Sequence, residues 1–325
     1  MARSTLDLVA PPELPTPEGL RERLFQAGYV ADEDLASLVW MGLTLERPLL
    51  LEGSAGVGKT ALASACARVL GRPLLRLQCY EGLDLSQAVY EWNYSRQLLE
   101  IRLAEMDSKV DPAAAAVTQR RLRESLFSEE FLLERPLLQA IRCAQPCVLL
   151  IDEIDRADEA FEAFLLEMLS EYQVTVPEIG TLPARSKPLV VLTSNGTRDL
   201  SDALRRRCLF HYLDFPSLGR EMHIVRTLVP EAAGRLVEEA VAFVQRLRRE
   251  DLEKTPGVAE TLDWVRVLFH LGHLSLPIDP ALLVPTLAAL LKTRNDHWQV
   301  TAERIAKLVD GPRVGQDVGV AGGMK

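Results

Sequence analysis

Residues Gly53-Ser54-Ala55-Gly56-Val57-Gly58-Lys59-Thr60 follow the pattern GxxxxGK[ST], whose chemistry is the holding of a nucleoside triphosphate. The glycines let successive backbone N–H groups turn inward onto phosphate oxygens, and the N-terminus of a following helix favours the negative charge. Lys59 has the reach to bind the β- and γ-phosphates, and the Thr60 hydroxyl is placed to ligate Mg²⁺. The pattern needs a strand before it and a helix after it. Leu49-Leu50-Leu51 reads as a buried strand and Ala61 to Ala67 as a helix, so a triphosphate is the expected ligand.

Three further groups have types that would complete such a site. Val148-Leu149-Leu150-Ile151-Asp152-Glu153 is an apolar strand ending in adjacent carboxylates. Asp152 would hold the magnesium ion, directly or through water, near Thr60, and Glu153 would polarise the attacking water as a general base. An Asp-Glu pair is also what a strand meeting a solvated turn looks like; the upstream phosphate loop favours the catalytic reading. The strand Leu189 to Ser194 ends in Asn195, whose amide can orient the water or touch the γ-phosphate, although Asn195-Gly196 is equally a common turn pair. Arg205-Arg206-Arg207 reads either as a solvated basic turn or as carrying an arginine that reaches a neighbouring subunit's γ-phosphate. Such a finger is worth roughly 10³–10⁵ in rate, about 4–7 kcal/mol of barrier.

The elements that must position these residues follow from the apolar patterning. Strands are expected at Leu49–Leu51, Pro73–Cys79, Val148–Asp152, Leu189–Ser194 and Leu209–Leu213, with helical segments between them. That alternation implies an α/β fold with a parallel sheet covered on both faces. Helical patterning also runs from about Glu18 to Leu45, interrupted near Gly28. Past Pro216 the pattern is helical and broken by Pro230, Pro256, Pro277 and Pro285, which reads as a small all-helical lid. The expected organisation is an arm over 1–19, a nucleotide-binding core over 20–216, the lid over 217–312 and a disordered tail over 313–325.

Composition narrows the function classes. The 325 residues are 48% hydrophobic and 26% charged with a net charge of −9, which argues against a nucleic-acid surface. The first residues show no secretion signal and the most apolar later stretch, Leu282 to Leu291, is too short to span a bilayer, so a cytoplasmic location is expected. The five scattered cysteines read as reduced core thiols; Cys143 and Cys147 lack further ligands at metal spacing. His270 and His273 share a helix face but have no carboxylate motif around them, which favours packing or surface roles.

The phosphate loop, Asp152-Glu153, Asn195 and Arg207, in this order and followed by a helical lid, resemble the AAA+ ATPases over roughly residues 20–310. Within that superfamily the chain is similar to the MoxR group. Arg76 to Asp84, Tyr90-Glu91-Trp92-Asn93-Tyr94 and Glu129 to Leu137 resemble its CoxD-like branch, which is associated with carbon monoxide dehydrogenase maturation. The likeness implies an αβα AAA+ P-loop core with sheet order 5-1-4-3-2, a hexameric ring, and ATP with Mg²⁺ as cofactors. It also implies Asn195 as the sensor-1 residue and Arg207, ahead of Arg206, as the finger, with Gly28-Tyr29-Val30 holding adenine. Tyr172 to Gly180 with Thr181-Leu182-Pro183 reads as a hairpin inserted before the fourth strand, which the MoxR resemblance implies faces the ring, with Leu83 to Tyr94 as a second insert near the pore. Tyr90, Trp92 and Tyr94 fit ordinary packing equally well. The pattern departs from the family in the lid: the expected second sensor arginine falls at Ala259, beside Glu260, with Arg266 as a substitute two turns on.

The leading function is therefore an ATP-driven remodelling chaperone. The resemblance implies a von Willebrand factor A domain protein as partner and a metal-containing client such as a molybdenum-dependent carbon monoxide dehydrogenase. The alternative is a nucleic-acid motor or clamp-loader-like ATPase, since Arg207-Cys208 also resembles that finger motif; the acidic balance weighs against it. No Asn-Lys-x-Asp guanine motif supports a GTPase, and the presence of Lys59, Thr60, Asp152 and Glu153 disfavours a dead scaffold.

Overall fold

Nine short strands in the computed structural model, which describes residues 15–110, 126–277 and 279–310, come from the apolar runs and from two hairpins. β1 (Leu49–Gly53), β2 (Leu74–Gln78), β5 (Val148–Asp152), β8 (Leu189–Ser194) and β9 (Leu209–Leu213) form one sheet in the order β2-β5-β8-β1-β9. Counting only these five in chain order, that is 5-1-4-3-2, as the resemblance implies. β5 lies between β2 and β8 in parallel register, with Leu77 opposite Ile151 and Ile151 opposite Leu192. Every residue of β5 and β8 is buried, as a central parallel strand covered on both faces requires.

The hairpin expected at Tyr172–Pro183 forms from β6 (Gln173–Val176) and β7 (Gly180–Pro183), with Val176 opposite Gly180. A second antiparallel pair, β3 (Tyr90–Trp92) with β4 (Leu132–Glu134), joins residues 40 to 44 apart in segments that had no strand signal of their own. Trp92 is buried there, edge-on to Tyr90 and to Phe127, whereas Tyr94 is exposed.

The helices are α1 (Pro17–Gln26), α2 (Glu33–Leu45), α3 (Lys59–Leu70), α4 (Leu85–Ala88), α5 (Tyr94–Val110), α6 (Pro136–Arg142), α7 (Glu159–Glu171) and α8 (Asp202–Arg207). They are followed by α9 (Leu218–Leu228), α10 (Gly234–Leu247), α11 (Val258–His270), α12 (Arg294–Gln299) and α13 (Ala302–Asp310). α1 begins at Pro17, inside the expected arm, because proline suits the first helical position and the Thr16 hydroxyl accepts the Gly19 N–H at 3.2 Å. The rest of the arm, residues 1–14, and the expected tail at 313–325 lie outside the described residues. Among the described residues no strand follows β9.

By Cα proximity the chain divides into two units. The first comprises the described parts of 1–23, 31–51 and 63–211; its core is built on Leu149, Ile151, Leu192, Leu137 and Phe161. The second comprises 24–30, 52–62 and the described residues from 212 on, and it centres on Phe243 and Trp264, whose rings lie 5.0 Å apart. In that second unit Arg248 and Glu221 form a buried ion pair at 2.6 Å, and Gln245 and the Thr261 hydroxyl donate to the same carboxylate.

Candidate functional site

The phosphate loop leaves β1 at Gly53, whose φ of 153° suits glycine and whose added Cβ would stand 2.2 Å from the Leu213 carbonyl oxygen. Lys59 opens α3 and is buried; its ammonium donates to the carbonyls of Gly53 at 2.6 Å and Ser54 at 2.8 Å. Its charge therefore sits inside the loop's own curve, where phosphate oxygens would be its partners. Thr60 follows in the first turn of the same helix.

Tyr29 reaches the loop from the segment between α1 and α2. A Cβ on Gly58 would lie 3.7 Å from the Tyr29 ring and from its hydroxyl. The next residue, Val30, accepts a bond from Arg220 of α9 at 3.2 Å, and Phe25 stacks on His223 with ring centroids 5.4 Å apart. The expected adenine contacts thus lie against the phosphate loop and α9, in the second unit.

α11 approaches the same loop. The Val258 N–H donates to the Gly56 carbonyl at 3.0 Å, and a Cβ on Gly257 would stand 2.6 Å from the Gly56 Cα. Glu260 accepts the Gly257 N–H at 3.0 Å, capping its own helix, and its Oε2 would be 3.1 Å from a Cβ on Gly56. Arg266 is exposed and pairs with Asp263 at 3.3 Å on its own helix. Gly257 and Glu260 were not singled out as site residues from the sequence, although the Gly-x-x-Glu spacing before an apolar run is a helix-start signal.

The first unit holds the carboxylates. Asp152 is 4% exposed at the end of β5. The Thr193 hydroxyl donates to its Oδ1 at 2.5 Å, and Arg76 from β2 donates to its Oδ2 at 2.6 Å. Glu153 takes the left-handed conformation, φ 54° and ψ 50°, and its N–H donates back to the Thr193 oxygen at 3.0 Å. Its carboxylate pairs with Arg156 at 2.9 Å, and the Asn195 amide stands 3.5 Å from its Oε1. β5 and β8 being parallel neighbours is what brings Asp152, Glu153 and Asn195 together.

Asp155 organises the Asn195 loop. Its Oδ2 accepts the N–H groups of Asn195 and Thr197 at 3.2 and 3.0 Å and the Thr197 hydroxyl at 2.6 Å, while its buried Oδ1 has no bond. Burial by itself would raise the Asp155 pKa, but these donors favour the charged form and hold it below the usual carboxylate value. Cys79, beside Asp152, is pushed up to about 12 by burial and then by the charges of Asp152, Asp155 and Glu153. Burial raises Cys66 and Cys208 to about 12 as well, so these three are inert core thiols. No cluster of three or more His, Cys, Asp or Glu fit for a metal occurs among the described residues, and α11 ends at His270, so His273 does not share its helix face as expected.

Arg207 ends α8. Its Nε donates to the Ser170 hydroxyl of α7 at 2.5 Å and its Nη1 to the Ala203 carbonyl at 3.3 Å. Arg206 is exposed beside it, and Arg205 lies over the Phe210 ring at 5.7 Å. Asp155, Thr193 and Ser170 carry no motif signal that would have marked them in the sequence, and Arg76 opened a segment of family resemblance without a role of its own. Only pairing between distant strands and helices reveals what they do.

Residues 48–208 match a family described as the AAA domain of the dynein-related subfamily. That segment is an AAA domain. The sheet order, the phosphate loop after β1 and the carboxylates after β5 make its fold that of an AAA+ P-loop NTPase. Gas vesicle ATPase GvpN1 of Halobacterium salinarum is 28% identical over 224 residues, 66% of this chain and 60% of that protein. Gas vesicle ATPase GvpN of Haloferax mediterranei is 26% identical over 270 residues, 80% of this chain and 73% of its own. Chaperone MoxR1 of Mycobacterium tuberculosis is 29% identical over 202 residues, 60% of this chain and 44% of MoxR1. The AAA domain and its surroundings thus span about 60% of the length of GvpN1. A mutant RuvB of Thermotoga maritima shares 17% identity at a TM-score of 0.44, over 89% of this chain and 72% of that one. The AAA domain is thus similar to those of gas vesicle ATPases and of chaperone MoxR1.

Proposed function

We propose that the protein is a Mg²⁺-dependent ATPase of MoxR-like type that uses hydrolysis to remodel or activate a partner protein. The observation that carries this is Glu153 held by Thr193 beside Asp152, with the Asn195 amide 3.5 Å from its carboxylate. An ion pair with Arg156 at 2.9 Å orients that carboxylate, which in this reading acts as the base. In this reading Gly53 to Thr60 hold the triphosphate, with Tyr29 and Val30 against the adenine. A magnesium ion keeps most of its waters and needs only one or two protein oxygens, which fits the Thr60 hydroxyl and the Asp152 carboxylate. Bound there, the ion would neutralise charge on the phosphates. Arg207 completes the site of a neighbouring subunit, so a homo-hexameric ring is the working assembly.

The relatives' names, gas vesicle ATPase and chaperone, support work on a protein assembly. The segments at 76–84, 90–94 and 129–137 support a metal-containing enzyme, such as a molybdenum-dependent carbon monoxide dehydrogenase, as client, with a von Willebrand factor A domain protein as partner. The test is capture on the full-length Glu153→Gln protein in ATP against ADP, with a candidate von Willebrand factor A protein and its metalloenzyme added. ATP-dependent retention of both supports the proposal. ATPase activity that rises with DNA, without retention, overturns it.

A further inference from the structure

The run Arg206-Arg207-Cys208 is held from below by one side chain. Arg47, the residue that precedes β1 by one proline, donates from Nη2 to the Arg206 carbonyl at 2.7 Å and to the Cys208 carbonyl at 3.3 Å. Its Nε donates to the Arg207 carbonyl at 3.1 Å. The last carbonyls of a helix have no partners within it and carry the negative end of its dipole. A guanidinium meets both needs with a rigid fork; an ammonium on a flexible stem does not. The platform under the fork is itself fixed. The Pro48 carbonyl accepts the Leu209 N–H at 2.8 Å, and the Glu46 carbonyl accepts the Tyr172 hydroxyl at 2.6 Å. Arg47, Arg206, Arg207 and Lys187 then line one open cavity of about 540 Å³, with Ser170 and Tyr172 in its wall.

We infer that Arg47 is a positioning residue for the arginine finger: it fixes the backbone from which Arg207 is presented to the neighbouring subunit's triphosphate. This rests on the reading of Arg207 as that finger. Bonds donated by Arg207 to the Ser170 hydroxyl and the Ala203 carbonyl aim its side chain, and Leu204 packs the six-residue α8 into the core. Arg47 holds the backbone carbonyls at the helix end. Arg47 joins that helix end to the start of β1, the strand whose other end is the subunit's own phosphate loop. A positioning error of about 1 Å at a reacting group costs about 10²-fold in rate.

The test uses full-length Arg47→Lys and Arg47→Gln proteins, which shorten or remove the fork with little change in bulk. Each is measured for ATP affinity, for kcat, and for kcat after mixing with Glu153→Gln subunits; Arg207→Ala mixed with Glu153→Gln is the control. The expected result is unchanged ATP affinity and a kcat lower by about 10²-fold. Mixing should restore part of it, because the Glu153→Gln subunit supplies an intact finger to a neighbour with an intact base. Wild-type kcat in Arg47→Lys and Arg47→Gln, or a loss that mixing does not restore while the control is restored, overturns the role of Arg47 alone. Failure of the Arg207→Ala control overturns the finger reading itself and this inference with it. Thermal melting separates a folding defect, which would lower the melting temperature without restoration on mixing.

Discussion

Gly257 and Gly56 meet backbone to backbone: a Cβ on Gly257 would stand 2.6 Å from the Gly56 Cα, and the next residue, Val258, donates its N–H to the Gly56 carbonyl at 3.0 Å. The start of α11 therefore rests on the phosphate loop through two residues that have no side chain to separate them. Gly257→Ala must push the two apart. Overpacking of this kind costs about 1–3 kcal/mol, so a lower melting temperature and weaker ATP binding are expected together. Calorimetric titration with a non-hydrolysable ATP analogue checks this; unchanged affinity would show that the loop tolerates the shift.

Lys59→Ala removes the charge inside the loop, and nucleotide binding should be abolished. Glu153→Gln should instead bind ATP normally and turn it over about 10²–10⁴-fold more slowly, the usual worth of a general base. Binding by fluorescent nucleotide and phosphate release measured on both variants distinguish the two roles. Near-normal turnover by Glu153→Gln would remove it as the base.

Thr193 is the hinge between the two carboxylates, donating to Asp152 and accepting from the Glu153 N–H. Thr193→Val keeps the shape and strips both bonds. A buried group left unpaired costs about 1–3 kcal/mol, and the left-handed Glu153 loses its anchor. A fall in kcat with little change in ATP affinity is the expected split. Equal loss of both would mean that the hydroxyl only supports the fold.

Asp155 ties the Asn195 loop to the turn after β5. Its folded pKa lies below the unfolded value of about 3.9, so its contribution is full above that value and is lost as pH falls through the lower folded one. Asp155→Asn should thus melt earlier than wild type from pH 8 down to about 5, and the gap should close below about pH 4. A gap independent of pH would mean that the charge is not what holds the loop.

In the second unit, Glu221 is fully buried against Arg248, Gln245 and Thr261. Arg248→Ala leaves that carboxylate uncompensated, a loss of about 3–5 kcal/mol. The double variant Arg248→Met with Glu221→Leu should recover much of it. Chemical denaturation of the three proteins provides the comparison.

What the sequence determined by itself was whatever local pattern dictates. The phosphate loop is a contiguous run of eight residues, and the central strands β5 and β8 are built on apolar runs, so both were legible from local pattern. The order of those strands came from family likeness, and the sheet agrees with it. The β6–β7 hairpin was legible because both strands and the turn lie within a dozen residues. Only the tertiary structure decided the rest. The pairing of β3 with β4, the bridge from Thr193 to Asp152 and Glu153, the Asp155 clasp on the Asn195 loop and the fork of Arg47 each join groups about 40 to 160 residues apart. Hydrogen bonds between such distant groups leave no periodicity in the chain. They arise when parallel strands align their ends and helices settle on them, which is a property of packing and not of local sequence.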